Sequence, residues 1–149
     1  MSDSLHAGDK LLDAWLSLTS TLWNTRIVKS MTYNEAHVMG ILLRHSTPEE
    51  PLTATDLIRR THLLKSQMNK ILSTLESKGH IIRLRAKSDR RMAHVLLTDE
   101  GKAAYLAEHA GVEEILEKLI DRLGAQRAIQ IAGDLNDVIS VLDDILPQS

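Results

Sequence analysis

The chain has 149 residues, a size that suits a single domain with its own core. Hydrophobic residues make up 43% and charged residues 26%, the ordinary composition of a globular protein. There is no cysteine, which excludes disulfides, thiolate metal sites, cysteine nucleophiles and thiol redox switching within the chain. No apolar run approaches the roughly 20 residues needed to cross a bilayer. Met1–Lys10 lacks the cationic-then-apolar order of a signal peptide, so no membrane partner and a cytoplasmic location are expected.

The formal net charge of −2, taken alone, argues against a nucleic-acid partner. Its distribution argues the other way. Residues 59–92 hold ten basic residues against two acids, a net of +8, while residues 1–58 carry −3 and residues 93–149 carry −7. A basic block between acidic flanks suggests a local anion-binding face. The plainer alternative is a solvated stretch that balances acids elsewhere.

In chain order, Leu11, Leu12, Trp15, Leu18, Leu22 and Trp23 recur at three- and four-residue spacing and predict an amphipathic helix from about Asp9 to Arg26. Thr32, with Glu35 three residues on, has the form of a capping box opening a largely buried helix that ends near His45. Pro48–Pro51 is a loop, and Leu52 a short apolar lead-in. Thr53 is a second N-cap with Asp56 in the first turn of a short helix reaching about Arg60. A helix over about Lys65–Lys78 follows, burying Met68, Ile71, Leu72 and Leu75, with Gly79 as its terminator. Two short helices so closely joined are a helix-turn-helix pattern.

After Gly79 the period changes. Ile81–Arg85 and His94–Leu97 read as strands around the basic segment Ala86–Ala93. Thr98 caps a helix to about Leu123, where Gly101 is tolerable near its start. Gly124 breaks that helix, and a last one runs from about Ala125 to Leu146 with a coiled-coil-like stripe. The fold class is therefore mainly α with a small two- to three-stranded β wing: a winged helix-turn-helix flanked by long dimerisation helices. Its expected parts are an N-terminal dimerisation helix (1–31), the DNA-binding region (32–101) and C-terminal dimerisation helices (102–149). The terminal helices carry more apolar surface than one small domain can bury, so a homodimer is expected.

On the Lys65–Lys78 helix the face left over offers Lys65, Ser66, Gln67, Asn69, Lys70 and, one turn on, Ser73. A helix fits the major groove of B-DNA and its N-terminal residues meet base edges first. Gln67 and Asn69 can each donate and accept, so either can read adenine, while Lys65 and Lys70 reach guanine or phosphate and Ser66 a phosphate. Thr53 and Thr55 are candidate contacts to the DNA backbone. The hairpin carries Arg83, Arg85, Lys87, Arg90 and Arg91, cations suited to a narrow minor groove. Asp89 among them reads as the acid that orients an arginine, or as a turn former.

Asp89-Arg90-Arg91 followed by Val95-Leu96-Leu97-Thr98-Asp99-Glu100-Gly101 resembles the wing signature of the MarR family of transcriptional regulators, an Asp-x-Arg, a short gap and Leu-Thr-x-x-Gly. Leu75–Gly79 resembles the end of that family's recognition helix, Thr32–Leu43 its second helix, and Leu52–Leu57 the start of its helix-turn-helix. The resemblance covers about Thr32–Gly101 by motif and the rest by helix order. It implies a dimeric bacterial or archaeal repressor, or less often an activator, on a pseudo-palindromic operator, with Arg91 as the minor-groove arginine and Asp89 as its stabilising acid. The chain departs from it at Glu35-Ala36, where many relatives have glutamine and an aromatic residue beside the effector pocket. With no Phe, two Trp and two Tyr, aromatic stacking on a ligand has few candidates.

A candidate effector pocket is Trp15, Trp23, Tyr33, His37 and Met39, although core is the favoured reading of these residues. Seven scattered histidines show no metal-ligand spacing. His37 and His109, with Glu108 and Glu113 nearby, are the pair that could converge on a metal, which would make a metal-responsive regulator. No metal site, cofactor or enzyme chemistry is expected, since no catalytic grouping or phosphate-cradling loop occurs. The expected partners are double-stranded DNA, a second copy of the chain and a small-molecule effector. The competing class is a winged helix that binds protein.

Overall fold

The computed structural model describes the backbone of residues 2–24, 27–86 and 89–146, and the side chains of residues 3–24, 27–85 and 92–146. The elements are α1 (Ser2–Asn24), α2 (Tyr33–His45), β1 (Leu52–Thr53), α3 (Ala54–Thr61), α4 (Lys65–Ser77), β2 (Ile81–Ala86), β3 (Asp89–Leu97), α5 (Asp99–Leu123) and α6 (Ala125–Ile145). The mainly helical class, with its small sheet, is the one expected.

Local chemistry sets most boundaries. At α2 the Thr32 hydroxyl accepts from the Glu35 N–H at 3.1 Å, and the Glu35 carboxylate accepts from the Thr32 N–H at 2.6 Å. Thr53 and Asp56 repeat the arrangement at α3. Both satisfy N–H groups that a helix start leaves without partners. At the far end of α4, the Gly79 N–H donates to Glu76 O at 3.0 Å and the His80 N–H to Leu75 O at 2.9 Å. Gly79 adopts φ +74°, the left-handed conformation that this closure needs and that a Cβ disfavours.

The sheet runs β1-β3-β2, all antiparallel, with Leu52 opposite Val95 and Ile81 opposite Leu97. Ser46 joins it to α2: its hydroxyl donates to Val95 O at 2.8 Å and accepts from the Leu52 N–H at 3.0 Å. Two extents differ from the sequence reading. Helix α1 begins at Ser2 rather than Asp9, because Ser2–Gly8 extends it with almost no apolar periodicity. Strand β3 begins at Asp89 rather than His94, since polar side chains do not prevent the backbone from pairing.

Gly101 has a stronger reason than tolerance. An added Cβ there would lie 2.1 Å from His80 O. Beside it the Thr98 hydroxyl donates to Gly79 O at 2.6 Å and accepts from the Gly101 N–H at 3.0 Å, while the Thr98 N–H donates to His80 O at 3.0 Å. The Thr98–Gly101 segment thus clamps the start of α5 onto the turn that ends α4.

The buried apolar core lies between residues 38 and 105: Val38, Met39, Ile41 and Leu42 of α2, Leu57, then Met68, Leu72 and Leu75 of α4, Ile81, Val95 and Tyr105. Burial of these side chains supplies the dominant favourable term for the winged helix. Among the described residues α1 and α6 bury none. Leu11, Trp15, Trp23, Leu119, Leu135 and Ile139 remain 44–62% or so exposed. The connector between α1 and α2 is held by Glu108 of α5, whose carboxylate accepts from the Lys29 N–H at 2.9 Å and from the N–H and hydroxyl of Ser30. Partial burial works to raise the Glu108 pKa, but these donors outweigh it and hold it below the usual value.

Candidate nucleic-acid interface

The candidate interface is built from α3, α4 and the β2–β3 hairpin. Leu57 of α3 and Met68, Leu72 and Leu75 of α4 are fully buried, which rotates the remaining positions of α4 outward. Lys65, Ser66, Gln67, Asn69, Lys70 and Ser73 are all exposed, so the structure brings the six expected residues onto one face. Lys65 and Lys70 make no ion pair among the described residues, which leaves their charge available to phosphate. His62 makes the turn between the helices in a left-handed conformation, φ 59°. Its Nδ1 lies 3.2 Å from Asp143 Oδ1 of α6. A cleft of about 990 Å³ opens there, lined by Leu63, Leu64, Lys65, Ser66 and Asn69 on one side and Asp143 and Leu146 on the other.

Several side chains have partners that the sequence did not reveal. Gln67 Oε1 accepts from the Leu64 N–H at 3.0 Å, because Leu64, at the N-cap position, has no polar atom with which to cap α4. That bond occupies the Gln67 oxygen, whereas no side-chain hydrogen bond of Asn69 occurs among the described residues. Ser73 accepts from Arg83 Nη2 at 3.1 Å, and Arg83 Nε lies 3.5 Å from Glu76 Oε2. Arg83 thereby braces β2 against α4 instead of standing free on the wing. Thr53, expected at the DNA backbone, is 9% exposed and its hydroxyl is committed to Asp56, whereas Thr55 is exposed. Arg85 is exposed on β2. Lys87 lies outside the described residues. Asp89, Arg90 and Arg91 begin β3, and their side chains lie outside those described.

The five pocket candidates do not assemble as a set. Met39 is fully buried in the core, and Trp15 is 50% exposed on α1. Trp23 and Tyr33 do meet, edge to face at 5.5 Å between ring centres. The Tyr33 hydroxyl donates to Leu22 O and accepts from the Ile27 N–H. His37 is exposed, and partial burial together with the Arg44 guanidinium holds its pKa below the ordinary value. His109 stacks on Tyr105 and lies 3.3 Å from Glu113, while Glu108 is turned to the connector. Among the described residues no three His, Asp or Glu side chains gather as a metal site.

The pair that sequence reasoning missed is Glu35 with Lys78. Lys78 Nζ donates to Glu35 Oε1 at 3.1 Å, joining the first turn of α2 to the end of α4. Burial works to raise the Glu35 pKa, but the Thr32 N–H, the Lys78 ammonium and the Thr32 hydroxyl outweigh it and lower it. The capping box was legible, but nothing in the sequence signals an ion pair 43 residues long.

Residues 29–92 match the model of the MarR family. The uncharacterised HTH-type transcriptional regulator YwhA of Bacillus subtilis is 25% identical over 126 residues, which are 83% of this chain and 88% of the relative. The homoprotocatechuate degradative operon repressor of Escherichia coli is 28% identical over 86 residues, 58% of each chain. Among solved structures, the S. aureus MepR–DNA complex matches with a TM-score of 0.66 at 21% identity, covering 89% of this chain and 94% of that one. The PcaV transcriptional regulator from Streptomyces coelicolor, in complex with its natural ligand, matches at 0.68 and 22%, covering 91% and 90%. The names these proteins carry are those of transcriptional regulators, a repressor and a DNA complex. The stretch that matches the MarR family model, residues 29–92, holds α2, β1, α3, α4 and β2, and so spans both the exposed face of α4 and the hairpin strand braced against it.

Proposed function

We propose that the protein is a sequence-specific, double-stranded-DNA-binding repressor that acts as a homodimer on a pseudo-palindromic operator and is relieved by a small-molecule effector. The observation that carries the reading is the outer face of α4: Lys65, Ser66, Asn69 and Lys70, exposed together at the N-terminal end of a helix whose other side is core. The basic block around it, the DNA-bound MepR neighbour and the repressor among the relatives support the same reading.

Two copies of α4 enter successive major grooves about one helical turn apart. The hairpin arginines, Arg91 foremost with Asp89 to orient it, reach the flanking minor grooves. The apolar side chains left exposed on α1, α5 and α6 form the dimer face, since contiguous apolar surface of this extent marks an interface. Residues 1–31 and 102–149 then serve dimerisation, and 32–101 DNA binding. An effector shifts the spacing of the two lobes toward a state that fails to fit both half-sites. No helix of the described residues is long and apolar enough to cross a membrane, and a cytoplasmic site of action fits this role.

A second reading has one observation in its favour. Ile82, Leu84 and Met92 are 45–51% exposed on the hairpin, the kind of apolar anchor a protein-binding wing would use. A salt titration separates the two. Affinity for a duplex recovered from a random library falls steeply and linearly on logarithmic axes as salt rises if phosphates are contacted. Flat salt dependence, or no duplex bound, would favour the protein-binding wing.

A further inference from the structure

Glu35 Oε1 holds the Lys78 ammonium, while Oε2 accepts from the Thr32 N–H. Glu35 is 4% exposed, so water competes little for its charge, and a carboxylate in such a place is held by its partners. The Lys78 side chain is 39% exposed. Among the described basic residues of 59–92, Lys78 alone is paired with a buried carboxylate.

Four helices come together around the pair. The first turn of α2 touches α1 through Tyr33 and Leu22. The connector just before it is held by Glu108 of α5. Lys78 adds the end of α4. Apolar packing by Met68, Leu72 and Leu75 seats α4 in the core, but such contacts are non-directional. A charge-assisted hydrogen bond to a fixed oxygen is directional and constrains how the helix is turned.

We propose that Glu35 and Lys78 are positioning residues for sequence reading. The pair fixes the end of the recognition helix against the first turn of α2, and Lys78 acts through the angle of that helix and not on a phosphate. The inference rests on the DNA-binding reading above.

The test compares wild type with K78M, K78R, E35Q and the E35Q/K78M double variant. For each, affinity is measured across a salt series for a duplex carrying the selected site and for a scrambled duplex of equal length. Unfolding midpoints are recorded alongside. Wild type should prefer the selected duplex with a steep salt dependence; if it binds neither duplex, the DNA reading itself fails and the proposal falls with it. K78M and E35Q should each lower the selected-to-scrambled ratio about fivefold with an unchanged salt slope, and the double variant should lower it no further. K78R, which keeps the bond, should retain the ratio. E35Q keeps an oxygen for the Thr32 N–H, so it carries the test if K78M folds poorly. A K78M salt slope lower by about one, with both duplexes weakened equally, would make Lys78 a phosphate contact and overturn the proposal. A changed midpoint with an unchanged ratio would overturn it too, by reducing the pair to a fold-stabilising contact.

Discussion

Replacing Gly101 by alanine tests the clamp that joins the start of α5 to the turn that ends α4. The new Cβ would sit 2.1 Å from His80 O, with the His80 carbonyl carbon at 2.8 Å. The obstacle is backbone, so relief requires the start of α5 and the Gly79–His80 turn to separate by roughly 1 Å. Overpacking of this kind costs about 1–3 kcal/mol. The movement also lengthens the bonds from Thr98 to Gly79 O and His80 O, 2.6 and 3.0 Å at present, each worth about 1 kcal/mol. Alanine returns about 0.5–1 kcal/mol through its better helix propensity. The expected net loss is about 2–3 kcal/mol, read by urea unfolding at fixed protein concentration, with a midpoint fall of about 5–10 °C on heating. Gly111→Ala is the control: its Cβ meets nothing within 4 Å, and the same propensity gain should appear undiluted as a slight stabilisation. If Gly101→Ala proved as stable as wild type, the close approach of α5 to His80 would be refuted.

Other outcomes follow from the same geometry. Asn69→Ala should cost about 1–3 kcal/mol at one base pair and relax preference there alone, measured by competition among single-base variants of the selected duplex. Arg91→Ala should weaken binding to most sequences, and unchanged affinity in a fluorescence titration would remove the wing from the interface. Acid should destabilise the fold through Glu35 and Asp56, whose folded pKa values lie below the ordinary 4.5 and 3.8. For Asp56 the Thr53 N–H is the main cause, against a smaller opposing effect of burial. Groups lowered on folding add stability that is complete above their unfolded pKa and is lost as pH falls through the folded one. Unfolding midpoints should therefore hold from neutral pH to about pH 5 and decline below it, and Glu35→Gln with Asp56→Asn should flatten that decline.

What the sequence revealed was whatever a few neighbouring residues decide. Thr32 with Glu35, Thr53 with Asp56, and Gly79 mark helix ends by chemistry within three or four positions, and all three operate as read. The outward face of α4 was legible because Met68, Leu72 and Leu75 fix the inward one. What stayed hidden depends on residues distant in the chain. Gly101 is dictated by His80, Ser73 is taken by Arg83, and Lys78 is held by Glu35. Gln67 was obscured differently: it serves as a cap because Leu64 is unable to do so, a substitution of roles that a list of polar residues conceals.

The central claim is that two copies of α4 read two half-sites. Selection of bound duplexes from a random library, followed by sequencing, tests it most directly. The account predicts an enriched inverted repeat whose half-sites are centred about 10 base pairs apart, the spacing of one helical turn. Enrichment of a single unrepeated motif, or of no sequence at all, would contradict it.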